Sequence, residues 1–177
     1  MTLEYETKIL NINVSEIIDK LRSLGAKQKH PETLMRRWVF DLDSDDPEWI
    51  RLRDNGENVS LAYKNKKSSA ISGTEEIEVI VDKFEETAQI LMNLKFKKNY
   101  YQENKRVTFV FNDIEFMIDT WPMIPSYLEI ESSSEEKVKQ GLKLLHLEDK
   151  EAGNLSMTET YRFYGLDLHT FKELKFP

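Results

Sequence analysis

Apolar residues recur at helical spacing in three stretches of the chain. Val14, Ile17, Ile18, Leu21 and Leu24 fall on one face of a helix that Asn13 caps, with Glu16 three residues on, and that Gly25 stops. A second helix is predicted over Lys83 to Leu94, where Asp82 followed by Glu85 resembles a capping box and Phe84, Ala88, Leu91 and Leu94 form the stripe. A third follows Ser134 with Val138, Leu142 and Leu145 inward, although Gly141 weakens it by roughly 1 kcal/mol. A short fourth covers part of Thr158 to Tyr164.

Between the helices the period changes to two. Strands are predicted at residues 3–10, about 33–42, 49–54, 58–65, 74–81, about 97–111, 114–121 and 126–132. Asp54-Asn55-Gly56 and Asn112-Asp113 suit hairpin turns, so the sheet should be largely antiparallel. No linker rich in Pro, Gly or Ser divides the chain, and 177 residues suit one domain with a sizeable core.

What faces the far side of these strands is unusual. Glu4, Glu6 and Lys8 share a face, as do Arg51 and Arg53, Lys64 and Lys66, Glu76 and Glu78, Glu115 and Asp119, and Glu129 and Glu131. Arg106 starts such a face with Thr108, while Lys105 on the opposite face leaves that choice open. Any one pair could be the wet side of an ordinary sheet. As a set they are harder to read that way, because Glu and Lys are depleted in strands and a solvated face favours Thr, Ser and Gln. If the eight strands close into a barrel with helices outside, the charged faces line its interior. Such a lumen needs partners for its charges, in the form of water, ions or a charged ligand. Clustered carboxylates without His or Cys form a hard oxygen site suited to Mg²⁺ or Mn²⁺, and several Arg and Lys together suit a chain of phosphates.

Composition narrows the field further. The 25 Lys and Arg against 32 Asp and Glu leave a net charge of −7, which argues against a general nucleic-acid binder. With no cysteine there is no disulfide, thiolate metal site or cysteine nucleophile. The charged start and the lack of any window near the ~20 apolar residues of a membrane span point to a soluble, cytoplasmic protein without a membrane partner.

The ordered series of charged strands resembles a known family. Glu4-Tyr5-Glu6-Thr7-Lys8 is similar to the E-x-E-x-K signature of the CYTH superfamily, the triphosphate tunnel metalloenzymes. Trp49-Ile50-Arg51-Leu52-Arg53 resembles its R-x-R strand, Leu61 to Lys66 its lysine strand and Thr74 to Glu78 its next acidic strand. Lys105-Arg106, Asp119 and Leu128-Glu129-Ile130-Glu131 follow in the family order. The resemblance covers about residues 1–147, and Tyr161-Arg162 looks like a C-terminal S-Y-R element with Thr160 in place of Ser.

The resemblance implies an α+β fold, an eight-stranded antiparallel closed β-barrel with helices packed outside, in a single domain over 1–177 whose extension spans about 148–177. It implies that Glu4, Glu6, Asp119, Glu129 and Glu131 hold Mg²⁺ or Mn²⁺, and that Lys8, Arg51, Arg53, Lys64, Lys66 and Arg106 bind the triphosphate. Lys8, Glu4, Glu6 and Arg53 are then the catalytic candidates, while Glu76 and Glu78 either add to the acidic set or make structural ion pairs. The activity expected is metal-dependent hydrolysis of inorganic tripolyphosphate, thiamine triphosphate or a nucleotide. The alternatives are a class IV adenylyl cyclase, making cyclic AMP and pyrophosphate from ATP, and a non-catalytic polyphosphate or nucleotide binder. The expected partner is a small triphosphate, for a monomer or homodimer.

Other signals carry less. Asp41-Leu42-Asp43-Ser44-Asp45 opens like a calcium loop, but Asp46 stands where Gly is needed and Leu52 where Glu is. His30, His146 and His169 follow no metal-ligand spacing. One guanidinium of Arg36-Arg37 could enter the barrel, or both could be exposed. Pro122 should end the strand carrying Asp119, with Trp121 near the rim. Leu168, Phe171 and Leu174 give the tail an apolar side that either caps the barrel or helps form a dimer.

Overall fold

The alternation of dry and charged positions is resolved by closure of the sheet. The computed structural model describes residues 2–42, 47–96 and 98–177. Its strands are β1 (Thr2–Ile9), β2 (Lys27–Asp41), β3 (Glu48–Asp54), β4 (Val59–Lys66), β5 (Thr74–Val81), β6 (Lys98–Phe111), β7 (Ile114–Thr120), β8 (Tyr127–Ser132) and the short β9 (Glu173–Leu174). The first eight follow the order β2-β3-β4-β5-β1-β8-β7-β6, and β6 pairs back with β2. All these pairings are antiparallel, which makes a closed eight-stranded barrel. Asp43 to Asp46, the rest of the aspartate-rich run with the opening spacing of a calcium loop, lie outside the described residues. Among the described residues no helix is long and apolar enough to cross a membrane.

Helices α1 (Val14–Ser23), α2 (Phe84–Asn93), α3 (Glu135–Leu145) and α4 (Met157–Phe163) pack outside the barrel. From α1, Ile17 and Leu21, and from α3, Val138, Leu142 and Leu145 meet Ile9, Phe109, Phe116, Leu128 and Ile130 on the outer faces of the strands. Phe84, Ala88 and Leu91 of α2 cover Phe40 and Leu52. Asn13 caps α1 by accepting from the Glu16 N–H. At its other end Gly25, at φ +81°, donates to Arg22 O while Ala26 donates to Leu21 O, closing a Schellman motif. Gly141 has a packing reason: a Cβ there would lie 2.8 Å from Cγ2 of Ile130 and 3.2 Å from Cγ2 of Ile114, so glycine lets α3 approach the sheet.

Two local expectations are corrected, and one short strand is added. Asp82 does not cap α2; the cap position is Lys83, whose side chain makes no capping bond, because Lys offers no acceptor. β2 starts at Lys27, not near 33, and runs past Pro31 with register shifts between Gln28 and His30 and between His30 and Thr33. A proline has no N–H for the ladder, and such irregularities are where strands tolerate one. β9 was not foreseen, since two residues carry no period; it pairs parallel to β6 at Tyr101 and Gln102.

The seam between β1 and β5 positions the site. Those strands pair only from Thr2 to Glu4. Beyond that point Glu6 N–H donates to Ile71 O, and Lys8 exchanges backbone hydrogen bonds with Ala152 and Gly153. The segment after α3 is thus built into the wall. The tail closes one end: Leu168 and Leu174 are buried with Trp121, Ile124, Tyr127 and Tyr161, and Tyr161 Oη donates to Pro122 O at 2.8 Å. This is the capping role that the spacing of the tail allowed.

Candidate functional site

A cavity of about 920 Å³ occupies the barrel. Glu4, Glu6, Lys8, Arg51, Arg53, Lys64, Lys66, Glu76, Glu78, Arg106, Glu129 and Glu131 all line it, so the parity of the strand residues brings these candidates together. Arg106 faces in, while Lys105 faces out against Glu32 and the Phe176 ring.

The acidic side is built from β1 and β8. Glu6 lies opposite Glu131 and Lys8 opposite Glu129 in the ladder. Carboxylate oxygens of Glu6, Glu129 and Glu131 come within 4.8 Å of one another. Lys8 Nζ lies 3.0 Å from Glu129 and 3.4 Å from Glu6. Burial alone would raise the Glu129 carboxyl, but Lys8 and Arg106 outweigh it and hold it well below the ordinary range. Glu131 has the opposite fate: burial, then Glu6, Glu129 and Glu4, push it up to about 7. Three oxygen donors with a surplus of negative charge fit a hard divalent cation such as Mg²⁺ or Mn²⁺.

Two of the expected metal ligands stand elsewhere. Glu4 pairs with Lys64 at 2.8 Å, and its Oε2 has no partner among the described residues. Asp119 is fully buried, does not line the cavity, and receives Arg106 Nη2 at 2.6 Å, Arg106 Nε at 2.9 Å and Asn104 Nδ2 at 2.6 Å. It locks the Arg106 guanidinium, which also reaches Glu129 at 3.0 Å.

The basic side is built from β2, β3 and β4. Arg51 contacts Glu76 at 3.0 Å and Glu78 at 3.1 Å, Arg53 contacts Glu78 at 3.6 Å, and Lys64 lies 3.7 Å from Glu76. Glu76 and Glu78 therefore make ion pairs with this wall. Arg37, which the sequence left undecided, lies opposite Arg53 in the ladder and is 8% exposed. Its guanidinium donates to Asn104 Oδ1 and sits 4.7 Å from the Trp121 ring centre. Arg36 faces out to Asp54 and Glu85. Adjacent arginines in a strand must take opposite faces, but only the pairing register decides which one enters. Burial, with Arg53, Arg51 and Arg106 nearby, lowers Arg37; Arg51 and then burial lower Arg53. Buried Nε atoms of Arg37, Arg51 and Arg53 have no hydrogen-bond partner among the described residues. Crowded guanidiniums with unused buried donors suit a polyanion.

Lys66 is also buried, and it pairs with Glu159 of α4. Glu159 and Asn104 were not singled out in the sequence: one lies on a short helix and the other is uncharged, so neither joins the alternating charge pattern. Of the C-terminal element, Thr160 and Tyr161 are buried, whereas Arg162 is exposed and outside the cavity lining.

Both the sequence and the fold have counterparts among known proteins. The family model for the CYTH domain matches residues 2–164. A Methanocaldococcus jannaschii protein that bears the provisional name of an adenylate cyclase is 30% identical over 135 residues, 74% of this chain and 77% of its own. The PH1012 protein of Pyrococcus horikoshii superposes with a TM-score of 0.72 at 22% identity, covering 86% of this chain and 96% of that one. A Hippeastrum protein named as an adenylyl cyclase, and described as having a dominant triphosphatase activity, superposes with a TM-score of 0.58 at 18% identity over 96% of this chain and all of its own.

Proposed function

Since the chain belongs to the CYTH domain family, we propose that it is a divalent-metal-dependent hydrolase of triphosphate compounds, with inorganic tripolyphosphate its simplest substrate. The observation that carries this reading is one cavity with two chemistries: Nε donors of Arg37, Arg51 and Arg53 without a partner among the described residues on one wall, and the Glu6, Glu129 and Glu131 carboxylates as a second group. A pure anion binder gains from the cations but not from the crowded carboxylates. Glu6, Glu129 and Glu131 would hold Mg²⁺ or Mn²⁺, which when bound neutralises phosphate charge and favours a nucleophilic water.

The chain's own residues do the rest. Arg51, Arg53 and Lys64 grip non-bridging phosphate oxygens, exchanging their wall carboxylates for the ligand, and Arg37, held by Asn104, adds its free Nε donor. Lys8 and Arg106, on the acidic side, stabilise charge on the transferred phosphoryl group. Asp119 acts through Arg106 by holding its fork in one orientation. Glu4, whose Oε2 has no partner among the described residues, would accept a hydrogen bond from the attacking water.

A second reading, adenylyl cyclase, has support from the provisional name of the Methanocaldococcus jannaschii relative and from Trp49 and Tyr100, rings in the cavity lining on which a base could stack. The triphosphatase activity described for the Hippeastrum protein favours hydrolysis. Incubation with tripolyphosphate, ATP or thiamine triphosphate under Mg²⁺ or Mn²⁺, with products separated by ion exchange, decides between them. Tripolyphosphate should yield pyrophosphate and phosphate and be used at least as well as ATP. Cyclic AMP as main product, with tripolyphosphate left intact, would replace the hydrolase by a cyclase.

A further inference from the structure

Lys66 differs from the other expected triphosphate-binding cations in what it meets. Lys8, Arg51, Arg53, Lys64 and Arg106 pair with carboxylates of the barrel's own strands. Lys66 pairs with Glu159, which α4 presents from outside the wall. Lys66 is 7% exposed and both residues line the cavity, at the end where β4 finishes. Two residues beyond Lys64 on the same face, Lys66 extends the row of cations by roughly 7 Å.

Around Glu159 the donors are those a phosphate oxygen would use. Oε2 receives the Lys66 ammonium, the Ser156 N–H at 2.7 Å and the Ser156 hydroxyl at 2.8 Å, while Oε1 receives the Ser69 hydroxyl at 3.3 Å. The hydrogen bonds from Lys66 and Ser156 overcome burial and hold this carboxyl well below its ordinary range, so it is charged near neutrality. An anion built into the protein therefore sits on the last cation of the row.

We propose that Glu159 is a length stop: its carboxylate occupies Lys66 where the next phosphate of a longer chain would lie, so the tunnel accepts a triphosphate and rejects tetraphosphate and longer chains. This rests on the triphosphate reading of the site and makes Glu159 a specificity-determining residue. A phosphate arriving at Lys66 meets a like charge and no free ammonium. Lys64 is paired as well, with Glu4 at 2.8 Å and Glu76 at 3.7 Å, but Glu4 Oε2 has no partner among the described residues. Ser156 and Ser69 also hold Glu159 on Lys66, so the carboxylate at Lys66 is the harder one for a phosphate to displace.

Glu159→Gln tests it, because the glutamine oxygen can keep the capping bond from Ser156 while the charge is removed and the NH2 that replaces the second oxygen can donate to the Ser69 hydroxyl. Binding of tripolyphosphate and tetrapolyphosphate is measured by titration calorimetry in EDTA for the wild type, Glu159→Gln, and Glu159→Gln combined with Lys66→Gln. The wild type should favour tripolyphosphate by roughly tenfold or more. Glu159→Gln should keep its tripolyphosphate affinity and cut that preference by a similar factor, and the double variant should lose the gain. Equal binding of both chains by the wild type, an unchanged ratio in Glu159→Gln, or a gain that survives loss of Lys66 would each overturn the length stop while leaving the triphosphate reading intact. No tripolyphosphate binding by the wild type would remove both.

Discussion

Glu131 is the residue at which the chemistry of the tunnel becomes measurable as stability. Burial and its three carboxylate neighbours raise it from an ordinary value of 4.5 to about 7, so between those values the folded protein holds a proton that the unfolded chain has lost. Stability then falls as pH rises through that window. Glu4 is raised in the same direction, by burial first, and Glu129 is shifted the opposite way and spends its effect in acid. In chelator, the melting temperature should be lower near pH 8 than near pH 6. Glu131→Gln should flatten the slope and melt higher at the upper pH; an unaltered slope in that variant would place the effect at another group. At this scale the sequence was informative wherever charge alternated. Parity alone put Glu4, Glu6, Lys8, Arg51, Arg53, Lys64 and Lys66 on inner faces. What parity could not say is which neighbour a side chain reaches across the lumen. Asp119 beneath Arg106 and Glu4 beside Lys64 depend on strand register and barrel closure, which join residues more than ten positions apart.

Elements were legible in proportion to the length of their period. Eight strands and four helices follow from patterns several residues long, whereas β9, with two residues, and the first part of β2, interrupted by Pro31, give no such run. Gly141 shows how a local rule and a tertiary one can point in opposite directions. Propensity favours Ala there by about 1 kcal/mol. Packing opposes it, because the added Cβ lies 2.8 Å from a methyl group of Ile130 whose β-branched side chain cannot swing away freely. Overpacking costs ~1–3 kcal/mol and should win. Gly141→Ala should therefore unfold at lower urea concentration, with a net loss of up to about 2 kcal/mol and no change in slope. Equal or greater stability would mean that α3 can lift from the sheet at little cost.

For the whole molecule, the feature to explain is a protein of net charge −7 whose cavity wall crowds Arg37, Arg51 and Arg53 together. An anion attracted only by the overall charge would be repelled, so any tight polyphosphate binding must come from this interior. Arg51 and burial lower Arg53, and burial with three neighbouring guanidiniums lowers Arg37; the folded state bears that repulsion until a polyanion relieves it. A ligand that binds only the folded state stabilises it by ~2.7 kcal/mol at a hundred times its Kd. For a chain of this size that is a rise of roughly 5–10 °C in Tm. Tripolyphosphate in EDTA should produce such a rise, and much of it should survive about 0.5 M salt because buried charges are screened far less than exposed ones. Orthophosphate at matched ionic strength should produce little, since one phosphate cannot span both Lys64 and the three arginines. Equal shifts from both anions would mean that the cavity responds to ionic strength alone, and the proposal that it grips a phosphate chain would fail there.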